Sequence, residues 1–217
     1  PSSDALGNII SAARYCVSGK PGVFVLMQAG LDDGEYAVLE GTRAKKLHTS
    51  RRDAFDAPNV GPFALMDDAG EITYFRELYP TGGYELRTAM EPSVALVKFH
   101  PGMGPADLSA IASGKKGIVI EGTGMGHVSN GMVEAIRGLG SSGTLVAMAT
   151  QCAEGAVNLN VYGTGRALLS AGVVPVSDTM PETALVKMMW VLANCDDPVG
   201  AMRTPIAGEC SDRRELL

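Results

Sequence analysis

The densest chemistry in this sequence lies in GTRAKKLHTSRRDAF, residues 41–55, which gathers Arg43, Lys45, Lys46, His48, Thr49, Ser50, Arg51, Arg52 and Asp53. Two readings fit this composition. In the first, the segment is a solvated strand end in which Asp53 pairs a neighbouring arginine. In the second, one lysine points inward. A lysine desolvated near other cations has a lowered pKa and becomes a proton acceptor. A threonine or serine hydroxyl, a weak nucleophile when unassisted, needs such a base to attack a carbonyl carbon.

A second stretch, GIVIEGTGMGHVSNGMVEAI, runs from an apolar strand through Gly122, Gly124 and Gly126 into a helical segment. Strand, glycine turn and helix in that order outline a phosphate cradle. The dinucleotide fingerprint, however, is G-x-G-x-x-G with an acidic residue ~20 positions on. Here the spacing is G-x-G-x-G, and the next strand ends in Thr150, Gln151 and Cys152 without a carboxylate. No G-x-x-x-x-G-K-[ST] occurs either. The turn is then either structural, with glycines supplying positive φ or close packing, or the lining of a site for something other than a nucleotide. Gln151, Cys152 and Glu154 follow a strand end, where a structural role is expected. Cys152 has no base near it in sequence to activate a thiol.

Composition narrows the classes. The 217 residues are 46% hydrophobic and 19% charged, with a net charge of −6. That suits a packed core and argues against disorder. No basic stripe marks a nucleic-acid surface, so contact with RNA would fall mainly to a partner. Four scattered cysteines and three histidines lack zinc-ligand spacing. Reduced thiols and a cytoplasmic location are expected. No apolar run reaches the ~20 residues that span a bilayer.

The elements that must position these groups fall into two parts. Ser3 or Asp4 can cap a helix with apolar residues at Leu6, Ile9, Ile10, Ala13 and Val17. GVFVLM and EYAVLE read as strands, and FALMDDAGEITYF as two strands around an Asp-Asp-Ala-Gly turn. Residues 80–92 are rich in Pro and Gly and read as a linker. Beyond it, strand and helix alternate: VALVKFH, PADLSAIASG, GIVIEG, SNGMVEAIRGLG, TLVAMAT, GRALLSAG, then PETALVKMMWVLANC with Pro181 in its first turn and Thr179 or Ser177 as caps. That alternation predicts parallel βαβ units with helices on both faces of an open sheet. The predicted organisation is α/β, with residues 1–85 the trailing part of a larger α/β domain, 86–92 a linker and 93–217 a smaller parallel-sheet domain. Met188, Met189 and Trp190 are read as core or subunit contact.

Pro1-Ser2-Ser3-Asp4, Gly41 to Phe55, Ile120 to Ser129, Gln151 to Gly165, Pro181 to Leu192 and Ile206 to Glu209 together resemble the L-asparaginase/glutaminase superfamily. PSSDA, HTSRRDAF, EGTGMGHVS and IAGE resemble most the D-subunit branch of the archaeal glutamyl-tRNA(Gln) amidotransferases. The resemblance implies hydrolysis of the side-chain amide of glutamine or asparagine. The ammonia would pass to a partner, the amidotransferase E subunit, which holds Glu-tRNA(Gln) and activates its glutamate with ATP and magnesium. This chain would need no metal or organic cofactor, and would form a homodimer.

The family uses a threonine nucleophile in a TGGT motif, a second threonine and an aspartate in a TDT motif, and a lysine. By motif, that lysine is Lys46, expected to be made ready for deprotonation by burial. Neither TGGT nor TDT occurs in the sequence. PTGGY, Pro80 to Tyr84, follows the lysine and lacks the second threonine, so it is read as a loop. The missing motifs are expected before Pro1, and the chain, which does not open on Met, is read as a C-terminal portion inactive by itself. Met125 stands where plain asparaginases carry an asparagine that reaches a neighbouring protomer's site. Met125 and His127 are therefore candidates for an intersubunit surface. The alternative readings are a stand-alone L-asparaginase and an inactive binding or oligomerisation module.

Overall fold

The computed structural model describes residues 3–79 and 85–211, and the chain divides into two compact units, Pro1–Pro80 and Thr81–Leu217. The PTGGY segment lies outside the described residues.

The first unit opens with helix α1 (Ala5–Ser18). Strands β1 (Phe24–Gln28), β2 (Glu35–Glu40), β5 (Ala64–Asp67) and β6 (Ile72–Tyr74) form an antiparallel sheet in the order β1-β2-β5-β6. Strands β3 (Lys45–Lys46) and β4 (Phe55–Asp56) form a separate two-stranded ribbon. The Asp-Asp-Ala-Gly turn joins β5 to β6 as read from sequence. Gly70 has φ 91° and its amide closes onto the Asp67 carbonyl at 3.0 Å, a conformation that favours glycine. β2 is the buried centre of the sheet: Tyr36 and Val38 pack on one face, Ala37 and Leu39 on the other.

Helix α1 sits the other way round from its apolar pattern. Asn8, Ser11 and Tyr15 are its buried residues, while Leu6, Ile9 and Val17 are 70%, 67% and 90% exposed. The sheet explains this choice. Its face is already filled by Phe24, Tyr36, Phe63 and Tyr74, so the helix meets it with Asn8, Ser11 and the ring of Tyr15 set edge-on to Phe24. A Cβ on Gly7 would stand 2.8 Å from the Tyr36 hydroxyl. Asp4 is the cap residue without a capping side-chain bond; the Ser3 hydroxyl instead accepts from Ala5 at 3.3 Å, and Asp4 accepts from the Asn8 amide at 3.0 Å.

Arg76 locks the loop before β5. One guanidinium nitrogen donates to the carbonyls of Val60, Gly61 and Pro62 at 3.1, 3.1 and 2.8 Å, and the other pairs with Glu40. That loop contains two left-handed residues, Asn59 (φ 70°) and Gly61 (φ 66°), so its carbonyls need a fixed donor.

The second unit is a four-stranded parallel sheet in the order β10-β9-β8-β7, with β7 (Val94–Lys98), β8 (Gly117–Gly122), β9 (Leu145–Thr150) and β10 (Val174–Pro175). Pro175 is tolerated because β10 is an edge. Helices α2 (Pro105–Ala112), α3 (Met132–Ser141) and α4 (Gly163–Ser170) connect successive strands. Because each strand is added on the same side of the last, right-handed crossovers put these three helices on one face. There Leu108, Met132, Ile136 and Leu168 meet Ile118, Ile120, Val146 and Met148. Helices α5 (Pro181–Asn194) and α6 (Pro198–Arg203) cover the opposite face, where Ala184, Met188, Val191 and Met202 meet Val119, Ala147 and Val174. Neither Thr179 nor Ser177 caps α5. Its cap position is Met180, without a side-chain bond, and Ser177 takes a left-handed turn at φ 55°.

The segment before β7 is strapped to α5. The Trp190 indole donates to Arg87 O at 3.1 Å, Asn194 donates to Ala89 O at 2.8 Å, and the Glu91 amide donates to Met189 O at 2.8 Å. Exposed Lys116, 2.6 Å from Glu91, holds that half-buried carboxyl down to about 2, with help from Ser93. Met188 is core, as read from sequence.

At the C-terminal end, Lys187 of α5 forms a buried ion pair of 2.5 Å with Glu209. Its ammonium also donates to Thr204 O at 2.7 Å, and Glu209 accepts from the amides of Ile206 and Ala207. Burial pushes the Glu209 carboxyl up, but the Lys187 ammonium and the Ala207 amide outweigh it, leaving the group below its usual range. Stability from this carboxylate is therefore present above the ordinary glutamate pKa of ~4.3 and lost as pH falls through the lower folded value. Lys187→Met should cost roughly 3–5 kcal/mol near neutral pH, because it strands a buried charge. The deficit should shrink on acidification, when Glu209 is protonated; denaturant melts across pH check both. Ile9→Lys on the exposed face of α1 should shift stability by no more than about 0.5 kcal/mol in the same melts, whereas Tyr15→Ala should cost roughly 3–5 kcal/mol.

Candidate functional site

The chemistry read from sequence falls in two places, one in each unit. In the first unit, Lys46 pairs with Phe55 across the β3–β4 ribbon, and Lys45 with Asp56. The Lys46 ammonium lies 5.5 Å from the Phe55 ring centroid. The side chain is exposed, and this corrects the expectation of a buried lysine. The physical reason is the ribbon itself. It is only two strands wide, and Phe55 packs against the cluster of Ala37, Leu39 and Ala57, so the Lys46 ammonium lies over the phenyl ring on the solvent side. Among the described residues, burial does not prepare this amine as a base.

The turn between the two strands is built from its own polar groups. Leu47 N donates to Ala54 O at 2.7 Å, closing the hairpin. Arg51 grips Asp53 with two nitrogens, Nε at 2.7 Å, and this hydrogen-bonded pair holds the half-buried Asp53 carboxyl below the usual carboxylate range. Arg52 reaches Asp33 at 2.6 Å, and Gln28 donates to the same oxygen at 2.8 Å. The pairing of Asp53 with a neighbouring arginine is thus as the simpler reading had it. Arg43, in contrast, is buried.

In the second unit, the glycine turn lies at the carboxyl end of β8. Thr123 and His127 form a bridge, with Thr123 N to His127 O at 2.8 Å and His127 N to Thr123 O at 2.9 Å. Gly126 N also donates to Thr123 O. A phosphate cradle needs outward-facing amides; three amides of this turn are spent on its own carbonyls. Helix α3 begins only at Met132, beyond the turn. Two further carbonyls are held from β9 and its following loop: Thr150 Oγ1 donates to Gly124 O at 2.5 Å and Asn158 N to Met125 O at 3.0 Å.

The glycines have distinct reasons. A Cβ on Gly122 would come within 2.7 Å of the Gly126 backbone. Gly126 has φ 98° and its Cβ would meet Val157 at 2.8 Å and Met148 at 2.9 Å. Gly124 has φ 50° but open space around it. Close packing and backbone sign therefore account for the turn. Gln151 donates to the carbonyls of Phe99 and Glu121, tying three strand ends together, and Cys152 is exposed. Met125 is half-buried. The His127 ring stands edge-on to Tyr162 at 5.1 Å, and its Nε2 is buried without a hydrogen-bond partner among the described residues.

Among the described residues, no group of three or more His, Cys, Asp or Glu side chains is placed to hold a metal ion, and no helix is long and apolar enough to cross a membrane. Two groups escaped the sequence reading. The acceptor role of His48 leaves no signal in a motif, and the partners of Arg76 lie up to 36 residues away.

The family model for the glutaminase/asparaginase C-terminal domain matches residues 93–203, and the model for the asparaginase N-terminal domain matches residues 1–79. The chain belongs to the glutaminase/asparaginase family. Among curated relatives, the glutamyl-tRNA(Gln) amidotransferase D subunit of Halobacterium salinarum is 44% identical, covering 96% of this chain and 51% of the relative. The D subunit of Thermococcus kodakarensis is 45% identical over 91% of this chain and 46% of its own, and that of Thermofilum pendens 43% identical over 100% and 50%. The chain spans about half the length of the curated relatives it matches. The thermostable L-asparaginase from Thermococcus kodakarensis superposes with a TM-score of 0.88 at 30% identity, covering 98% of this chain and 64% of that one. L-asparaginase I from Vibrio cholerae shares the fold with a TM-score of 0.80 at 22% identity, covering 96% and 63%. The glutaminase/asparaginase fold thus carries the parallel α/β unit expected from the βαβ pattern.

The glycine assignments predict a graded response. Gly126→Ala combines a left-handed backbone with two sub-3 Å approaches and should cost at least about 1–3 kcal/mol. Gly124→Ala meets no atom and should cost roughly 1 kcal/mol from its φ alone. Denaturant midpoints of the two variants, compared with the unaltered chain, check the order.

Proposed function

We propose that these residues are the lysine-bearing part of an amidohydrolase that frees ammonia from the side-chain amide of glutamine or asparagine, for conversion of Glu-tRNA(Gln) to Gln-tRNA(Gln). The observation that carries this reading is the 44% identity to a glutamyl-tRNA(Gln) amidotransferase D subunit across 96% of the chain. In the reaction, a threonine hydroxyl attacks the amide carbonyl and its proton is relayed to Lys46. Backbone amides stabilise the tetrahedral oxyanion. The C–N bond then breaks as the nitrogen leaves with a proton as ammonia, and water hydrolyses the acyl-enzyme to glutamate or aspartate.

The threonines and the aspartate belong to the TGGT and TDT motifs, which these residues do not contain. Lys46 must shed its proton to act, and its exposure here means the desolvation has to come from the polypeptide that carries those motifs. No cofactor is assigned to this chain. ATP and magnesium belong to the partner, the amidotransferase E subunit, which also holds the tRNA. A homodimer contact through the turn of Met125 and His127 fits the half-buried methionine and the edge-on contact of His127 with exposed Tyr162. The likeness to the Thermococcus kodakarensis L-asparaginase favours a second reading, a stand-alone asparaginase with the same chemistry.

Ammonia release from glutamine and asparagine tests the proposal. The 217-residue chain alone should show no turnover. In a polypeptide with TGGT and TDT ahead of this sequence, Lys46→Ala should lower kcat by roughly 10²–10⁴. Turnover by the isolated chain that depends on Lys46 would overturn the division of residues. Asparagine hydrolysis without Gln-tRNA(Gln) formation in the presence of the E subunit would select the second reading.

A further inference from the structure

The turn after Lys46 is held by an acceptor that a single proton destroys. His48 Nδ1 accepts from the backbone amides of Ser50 at 3.1 Å and Arg51 at 3.0 Å. A ring nitrogen accepts only through its lone pair, so these two bonds require an unprotonated Nδ1. Asn, Asp, Ser and Thr are the side chains that ordinarily bind a backbone amide two residues on. Their oxygens remain acceptors across the physiological range. An imidazole in that place is different, because histidine changes charge between about pH 5 and 8 and its cation is a donor at both nitrogens.

The position of this bond gives it a consequence. Lys46 is the last residue of β3, Leu47 closes the hairpin onto Ala54, and His48 begins the turn. Arg51 is the common member of two clamps: its amide is bound by His48 and its guanidinium by Asp53. The charged groups facing His48 come from this ribbon and from one neighbouring loop. Lys46 precedes it, Arg51 and Asp53 are paired within the turn, and Arg52 is held by Asp33 of residues 29–34.

We infer that His48, neutral and protonated on Nε2, is the positioning residue for Lys46, holding the turn that fixes the end of its strand. Protonation of Nδ1 turns one acceptor into a donor facing two donors, so the turn opens in acid and Lys46 loses its fixed register. The importance of Lys46 for amide hydrolysis rests on the function proposed above; the tautomer and the pH-dependent turn do not.

The test is NMR on the 217-residue chain. Long-range 1H–15N spectra of the His48 ring at about pH 8 should show the Nε2–H tautomer. Exchange protection of the Ser50 and Arg51 amides should fall about tenfold between about pH 8 and pH 5, after correction for intrinsic exchange, and the Lys46 side-chain 13C shifts should move with it. His48→Ala should lose the protection at both pH values. His48→Asn should restore it and make it independent of pH, since an amide oxygen accepts but does not titrate. An Nδ1–H tautomer at about pH 8, protection unchanged in His48→Ala, or Lys46 shifts that ignore His48 titration would each overturn the inference. Should His48→Ala fail to fold, the pH response of the unaltered chain against His48→Asn decides alone. No readout uses turnover, so an inactive Lys46 would appear only in the ammonia assay and leaves this result standing.

Discussion

The second unit depends on one strand that is buried on both faces and closed by glycine at both ends. β8 offers Ile118 and Ile120 to the α2–α3–α4 side and Val119 to the α5–α6 side, all at most 1% exposed. Its first residue, Gly117, has no room for a Cβ, which would lie 2.4 Å from the Met188 sulfur. Its last, Gly122, has none either, because the returning turn passes within 2.7 Å. These two close approaches set how near α5 can come at one end and how tightly the glycine turn can fold at the other. With them go the tight fold of the turn and the use of Thr150 and Gln151 as braces onto its carbonyls and onto the strand ends.

The first unit solves a different problem. Its sheet supplies aromatic mass, with Phe24 stacked on Phe63 at 5.3 Å and Tyr74 edge-on to Phe63 at 5.4 Å. Against such a face a helix gains more from small groups that permit close approach than from further bulk. Helix α1 accordingly adds one ring to the face, Tyr15 edge-on to Phe24, buries Asn8 and Ser11 beside it, and turns Leu6, Ile9 and Val17 outward. Arg76 performs the corresponding task on the loop before β5. A guanidinium can satisfy three carbonyls and a carboxylate together, which an ammonium cannot do in fixed geometry.

Electrostatics separates the two regions that sequence chemistry had singled out. The ribbon concentrates charge and leaves the Lys46 and Arg51 side chains in water, with Lys46 over Phe55, Arg51 on half-buried Asp53 and Arg52 on Asp33. Its ordering comes from short hydrogen bonds within the turn, not from a dry environment. Among the described residues, Arg43 of the same segment is buried, and a buried ion pair, Lys187 with Glu209, lies in the second unit and fastens the segment that follows α6. The Lys187–Glu209 pair is thus a fastening, set apart in the chain from the lysine-bearing ribbon.

Periodic features were legible in the sequence. The parallel sheet, the helices α2 to α5 and the β5–β6 hairpin follow from local patterns of apolar residues, glycine and proline, each of which acts over a few residues. The rejection of a nucleotide site followed from glycine spacing, and the ordered motifs of Gly41–Phe55 and Ile120–Ser129 identified the family. Short elements such as β10 and α6 escaped, since two to six residues carry no resolvable period. What tertiary structure alone decided was direction and partnership. An apolar stripe on α1 does not say which face is covered, because that depends on what the sheet has already filled. A lysine in a basic segment does not say whether it is dry, because burial is a property of the layers packed over it. An imidazole in HTS does not say that it accepts from two amides, because that depends on the turn its neighbours adopt.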